Sequence, residues 1–215
     1  LRSFSNCYVK TCFGQLLDII TSNRINDEYI KSNIPKKISE MKTAYYTFIY
    51  PMILGYYLSE KDEKNDTDEK SEKIEKSKER KLGKFREIEL ITNAGLHAGI
   101  AFQYKDDIIG VFGGDEKTLN DLSEGKLTSI VKKTYENLTG KEKETFIELI
   151  KKQEKTQADL KVLKNLIVKS KAKEEIIKEV NTHKKASLEF LERLDMNIKE
   201  KEIISKLISN VLEIE

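Results

Sequence analysis

Two adjacent carboxylates, Asp106 and Asp107, stand in the run A-F-Q-Y-K-D-D-I-I-G-V-F, residues 101–112, among Phe102, Ile108, Ile109 and Val111. Burying an uncompensated carboxylate is costly, so such a pair needs a counter-charge. On a helix, Gln103, Asp106 and Gly110 fall on one face at offsets of three and four, with Asp107 beside them. Oxygen donors facing one cavity suit Mg²⁺, which takes one or two carboxylates and fills its shell with water and phosphate oxygens. A bound dication would neutralise the pair. Lys42, Lys117 and Lys126 are the natural point-charge donors for the phosphates. A diphosphate with Mg²⁺ is therefore a coherent ligand, and apolar helix walls would suit a hydrocarbon attached to it.

The elements that must position these groups read as helices. Only 2 Pro and 10 Gly occur in 215 residues, with long Glu/Lys/Leu/Ile stretches, so an all-α domain with one core is expected. A net charge of +2 within 35% charged residues gives no support to a nucleic-acid or membrane-surface partner. Cys7 and Cys12 lack nearby His or a second Cys pair, which argues against a zinc site or disulfide framework and fits a reducing, cytoplasmic interior. Leu1 to Cys7 does not read as a signal peptide, and Thr43 to Leu58 is too short and too interrupted for a membrane span.

The apolar spacing of Val9, Cys12, Phe13, Leu16, Leu17 and Ile20 predicts a helix over 7–22 that puts Gln15 and Asp18 on one face. A second helical region runs from Tyr29 to about Leu58, with Pro35 near a boundary and Pro51 as a kink; it places Lys42 and Tyr46 on one face. Residues 60–82 are almost wholly charged and cannot bury a face, so they read as a solvated helix extension or a flexible insertion. A helix over 85–112 follows, whose Ala94, Gly95, Ala98 and Gly99 allow close approach of a neighbour. After the Gly- and Asp-rich loop 113–128 come three or four amphipathic helices, broken near Gly140 and around Asp195–Asn197. His97 and His183 show no partner pattern and read as packing or surface residues.

Four blocks in order, G-Q-L-L-D, K-T-A-Y-Y, F-Q-Y-K-D-D and K-T-L-N-D-L-S-E-G-K-L-T, strongly resemble the trans-isoprenyl diphosphate synthases, the polyprenyl synthetase family. The resemblance implies the carboxyl-terminal part of the isoprenoid synthase helical bundle. Gln15 and Asp18 match G-Q-x-x-D, which faces the active cavity near the allylic substrate. Lys42, Thr43 and Tyr46 match the K-T block, with Lys42 on the allylic diphosphate and the other two near the carbocation and the proton lost. Phe102 and Gln103 match F-Q. Asp106 is then the principal Mg²⁺ ligand, with Asp107 beside it, while Lys117 and Lys126 match two loop lysines. The implied reaction is ionisation of the allylic C–O bond as Mg²⁺ and lysines withdraw charge from the diphosphate, attack by isopentenyl diphosphate, and proton loss in a cavity closed to water.

Two departures shape the expectation. The family's motif is D-D-x-x-D, and here the fifth position is Gly110. Nothing before Gln15 supplies the first aspartate-rich motif or the residues that hold isopentenyl diphosphate. The reading is thus half of a farnesyl- or geranylgeranyl-type synthase, completed by a separate amino-terminal half. The alternatives are a non-catalytic modulatory subunit of a heteromeric synthase and a plain helical interaction protein. A bundle lacking its amino-terminal helices should expose the apolar faces of 7–20, 43–58 and 88–112.

Overall fold

A computed structural model describes residues 2–22, 27–63, 75–113 and 119–214; Lys117 and positions 64–74 of the charged stretch lie outside them. Among the described residues every regular element is helical. In chain order these are α1 (Arg2–Thr21), α2 (Asp27–Lys31), α3 (Ile34–Ile38), a π-helical segment (Ser39–Ile49), α4 (Tyr50–Glu63), α5 (Glu75–Phe112), α6 (Asn120–Ser123), α7 (Ser129–Asn137), α8 (Gly140–Lys151), α9 (Gln157–Ser170), α10 (Ala172–Glu192) and α11 (Ile198–Val211).

The long helix α5 is the axis of the bundle, packed between the π-helical segment on one side and α10 on the other. Its buried Leu90, Ile91, Ala94, Ala98, Ala101, Tyr104, Ile108 and Val111 join Ile130, Phe146, Leu163, Ile167, Ile176 and Val180 in one core. Small residues set the spacing. A Cβ on Gly99 would lie 2.3 Å from the Ala44 backbone and side chain, so only glycine permits this approach of α5 to the π-helical segment. On the opposite side the buried Ser187 hydroxyl donates to the Ala94 carbonyl at 2.8 Å and pins α10 to α5.

The apolar face expected to be open on 88–112 is closed instead, because α10, α7 and the π-helical segment cover it. The expectation holds for α1, where Tyr8, Val9, Phe13, Leu16, Ile19 and Ile20 are exposed, and partly for α4, where Leu54 and Leu58 are.

The carboxyl-terminal part contains five helices where three or four were expected. The break near Gly140 is present, with that residue at φ 56°, and so is the one ahead of Asn197, whose side chain caps α11 by accepting from the Glu200 amide at 2.9 Å. The extra breaks lie at 152–156, closed by a Thr156/Asp159 capping box, and at Lys171, which turns the chain in a left-handed conformation (φ 58°). Pro35 sits in the first turn of α3, where its missing N–H costs nothing. Pro51 falls where the π-helical hydrogen bonding gives way to α4. Among the described residues no helix is long and apolar enough to cross a membrane.

Candidate active site

Five stretches of chain converge on one small cleft of about 60 Å³. Helix α1 contributes Asp18, and the π-helical segment contributes Ser39 and Lys42. From α5 come Gln103, Asp106 and Asp107, from α6 Asp121, and from the turn into α7 Lys126, Thr128 and Ser129. The approach of α1 depends on Gly14, where a Cβ would lie 2.4 Å from the Lys42 amide nitrogen. With that contact made, Asp18 Oδ2 accepts from Lys42 Nζ at 2.6 Å.

A continuous polar chain crosses the cleft. The buried Thr43 hydroxyl donates to Gln103 Oε1 at 2.6 Å, which fixes that amide's orientation so that its Nε2 donates to Asp107 Oδ1 at 3.0 Å and to Asp106 Oδ2 at 3.3 Å. Asp107 is 4% exposed. Its second oxygen accepts from both the amide (2.8 Å) and the hydroxyl (2.6 Å) of Ser129 at the start of α7. An anion bound at the first amides of a helix is stabilised by the helix dipole. Burial still dominates and pushes the Asp107 carboxyl up to about 6, against the pull of the Ser129 and Gln103 bonds.

Asp106 differs from its neighbour: it is exposed to solvent at the cleft. Partial burial and then the charge of Asp121 raise its pKa, with Gln103, Lys42 and Lys126 acting in the opposite sense. Lys126 Nζ bridges Asp121 Oδ1 at 2.7 Å and Glu124 Oε2 at 3.1 Å. Burial disfavours its charge, but those two carboxylates outweigh burial and hold the ammonium firmly protonated. The arrangement presents the Asp106 and Asp121 carboxylates and the Lys42 and Lys126 ammonium groups to one cleft. It can then release each lysine from its aspartate to a phosphate oxygen.

The structure thus brings Asp18, Lys42, Gln103, Asp106, Asp107 and Lys126 to one cleft, with Thr43 directly behind Gln103. It does not bring three others there. Gln15 is exposed on α1, Tyr46 is 56% exposed, and Phe102 packs edge-on against Phe48 with ring centroids 5.9 Å apart. Lys117 lies outside the described residues. Sequence reasoning had not given Asp121 or Ser129 a place at the site. The signal for Asp121 was available in the block K-T-L-N-D-L-S-E-G-K-L-T, where it stands between Lys117 and Lys126; nothing local marks Ser129.

An all-helical bundle with an acid- and lysine-lined cleft is the class that fold and geometry define. The family model for polyprenyl synthetase matches residues 1–167, and the chain belongs to that family. It is 38% identical over 109 residues to geranylgeranyl diphosphate synthase of Sulfolobus acidocaldarius, a match covering 48% of this chain and 28% of that protein. Against farnesyl pyrophosphate synthase of Zea mays it is 27% identical over 153 residues, covering 69% and 37% of the two chains. The structure superposes with a TM-score of 0.77 on a geranylgeranyl pyrophosphate synthase of Corynebacterium glutamicum complexed with isoprenyl diphosphate and magnesium, at 22% identity, over 99% of this chain and 54% of that one. The fold is the isoprenoid synthase helical fold, and the chain spans little more than half of that relative's length, or less in the curated ones.

Proposed function

We propose that this chain is the carboxyl-terminal half of a trans-prenyltransferase. With an amino-terminal half, it would join an allylic diphosphate to isopentenyl diphosphate and make a longer isoprenyl diphosphate of the farnesyl or geranylgeranyl type. The observation that carries the reading is the convergence of Asp18, Lys42, Gln103, Asp106 and Lys126 from separate elements on one cleft, with Lys42 paired to Asp18 and Lys126 to Asp121. On this reading all 215 residues serve one polyprenyl synthetase unit, with 60–82 as its charged insertion.

The donor set fits Mg²⁺. Among the described residues no group of three or more His, Cys, Asp or Glu side chains forms a complete metal cage. That suits an ion which takes one or two carboxylates and draws its remaining ligands from phosphate and water. Asp106 is the carboxylate that faces the cleft; Asp107, with both oxygens occupied by Ser129 and Gln103, holds α5 to α7 and orients the amide. When bound, the dication supplies Lewis-acid stabilisation to the departing diphosphate. Lys42 and Lys126, and Lys117 by its motif, grip the phosphate oxygens and stabilise the developing charge. Gln103, held by Thr43 behind it, and Asp18 from α1 would line the path where the allylic cation passes, and the resemblance assigns Gln15, Tyr46 and Phe102 to the neighbourhood of that substrate.

The test is incorporation of labelled isopentenyl diphosphate with Mg²⁺ and short allylic diphosphates, using this chain alone and mixed with a candidate amino-terminal half. Activity confined to the mixture is the expected outcome, together with a loss of about 100-fold or more on Asp106→Ala, the scale of removing one preorganised electrostatic group. Undiminished turnover by the Asp106→Ala mixture would sink the assignment. An inactive mixture in which this chain shifts the product of an intact synthase would establish the modulatory subunit instead.

A further inference from the structure

A second and larger cavity, of about 460 Å³, opens beside the carboxyl-terminal end of α5, against the start of α10 and the end of α11. Among the described residues it shares no lining side chain with the catalytic cleft. On α5, Lys105, Ile108, Ile109 and Phe112 recur at three- and four-residue spacings, a face turned away from Gln103 and Asp106. The volume falls within the range of about 300–1,000 Å³ that small-molecule sites occupy.

Two chemistries meet there. Ile108, Ile109, Phe112 and Ile214 form the apolar part, and Ile109 is left 45% exposed. Lys105 and Lys173 form the basic part. Lys173 Nζ stands 4.9 Å from the centroid of the Phe112 ring, and Lys164 of α9 brings a second ammonium group within 5.7 Å of the same ring. Lys105 donates to the Val211 carbonyl at 2.9 Å, which leaves two of its three N–H groups. Among the described residues none of these three lysines pairs with a carboxylate, whereas Lys42 and Lys126 in the catalytic cleft each do. Glu213 is the one carboxylate among the described lining residues, so the cations outnumber it. Ammonium groups drawn to one ring repel each other, and the negative face of the ring offsets part of that repulsion. A bound anion would offset the rest.

We infer that this cavity binds a single-chain lipid phosphate, its head on Lys105, Lys164 and Lys173 and its hydrocarbon chain on Ile108, Ile109 and Phe112. Several lysines, as point charges, suit a multiply charged phosphate head better than a monoanionic carboxylate. A head without a chain would leave Ile109 in water, and a chain without a head would leave the lysines unmatched. The site needs neither the cleft chemistry nor an amino-terminal half.

The test is calorimetric titration of the full chain with decyl phosphate below its micelle concentration, with inorganic phosphate and decanol as separate titrants. Isoleucine-methyl NMR locates the ligand. Saturable binding of decyl phosphate is expected, at least about 10-fold tighter than either part alone because the chain is buried with the head. The methyl shifts should fall on Ile108, Ile109 and Ile214. Lys173→Gln should weaken binding about 10-fold, the scale of one charge-assisted hydrogen bond. Ile109→Asn should weaken decyl phosphate and leave inorganic phosphate unaffected, with thermal unfolding as the check that each variant is folded. Farnesyl phosphate separates the sources: tighter binding than decyl phosphate marks an isoprenyl phosphate as the ligand, and equal or weaker binding a straight-chain lipid phosphate. Shifts on Ile19 and Ile20 in place of the other three would put the chain on the surface of α1. Loss on Lys42→Gln but not on Lys173→Gln would put the head in the catalytic cleft. Either result, or no saturable binding at all, overturns the inference and leaves the synthase reading standing.

Discussion

At the scale of single residues, the adjacent aspartates divide their work because their surroundings differ. Asp107 is sealed under α7 with every oxygen engaged, whereas Asp106 looks into the cleft. Removing the Ser129 hydroxyl should expose that division. Ser129→Ala deletes a 2.6 Å bond to a buried carboxylate while leaving the amide bond in place. Hydrogen bonds to charged groups contribute about 1.5–3 kcal/mol, so urea denaturation should show a loss of about 2 kcal/mol at neutral pH. The loss should shrink below pH 6, where Asp107 becomes protonated in the folded chain. An unchanged denaturation midpoint at neutral pH would show that the hydroxyl bond does not contribute. The aspartate pair, Gln103 and both cleft lysines were legible in the sequence because helical spacing and ordered motifs need only local information. Asp121 and Ser129 were not, because their roles depend on how a loop folds back over α5, and Leu119 carries no residue signal for the left-handed turn that makes this happen.

At the scale of elements, helix identity was legible from apolar periodicity, but several boundaries were not, the short α6 inside the expected loop 113–128 and the start of α5 at Glu75 among them. Lys171 adopts a conformation that sequence associates with glycine, and the 152–156 break lacks Gly and Pro altogether. The histidines are a second case: separated by 86 positions, His97 on α5 and His183 on α10 meet with their Nδ1 atoms 2.8 Å apart, one donating and the other accepting. Phe190 stacks on His97 at 5.8 Å and Tyr104 meets His183 edge-on at 6.0 Å. Burial, then His97, pulls the His183 pKa down to about 4; Lys36 acts the same way and Glu179 opposes it. Burial lowers His97 as well. Because the folded-state value of His183 lies below the ordinary 6.5, the unfolded chain takes up the proton first. The stability contributed by this contact is therefore intact above about pH 6.5 and lost as pH falls toward 4. Asp107 runs in the opposite sense, since its raised pKa favours the folded state at low pH and that advantage is lost as pH rises through about 6. Comparison with His183→Gln separates the two: the variant should lose less stability than the parent between pH 6.5 and 4. Parallel melting curves across that range would remove the histidine pair as a source of acid sensitivity.

At the scale of the whole molecule, two apolar surfaces have different fates. The face of α5 is consumed by the π-helical segment and α10, so the core closes within the chain. Among the described residues the outer face of α1 has no such cover: six large apolar residues there are between 43% and 66% exposed, and Leu54 and Leu58 on α4 add to the apolar surface. Gln15 stands exposed on the same helix, one turn before Asp18. On the half-enzyme reading this apolar surface would be the interface, although α11 also exposes Ile198, Ile203 and Leu207. An amphipathic helical partner that covered α1 would shield these side chains and Gln15 beside them. The isolated chain should accordingly bind an apolar dye and self-associate with rising concentration in analytical ultracentrifugation. Addition of the amino-terminal half should suppress both. Phe13→Glu on α1 should abolish self-association and weaken capture of that half, while thermal stability stays within about 0.5 kcal/mol, as for a surface change outside the core. A monodisperse parent chain with no dye binding would show that this face needs no partner, and the half-enzyme reading would lose its physical basis even with the cleft chemistry intact.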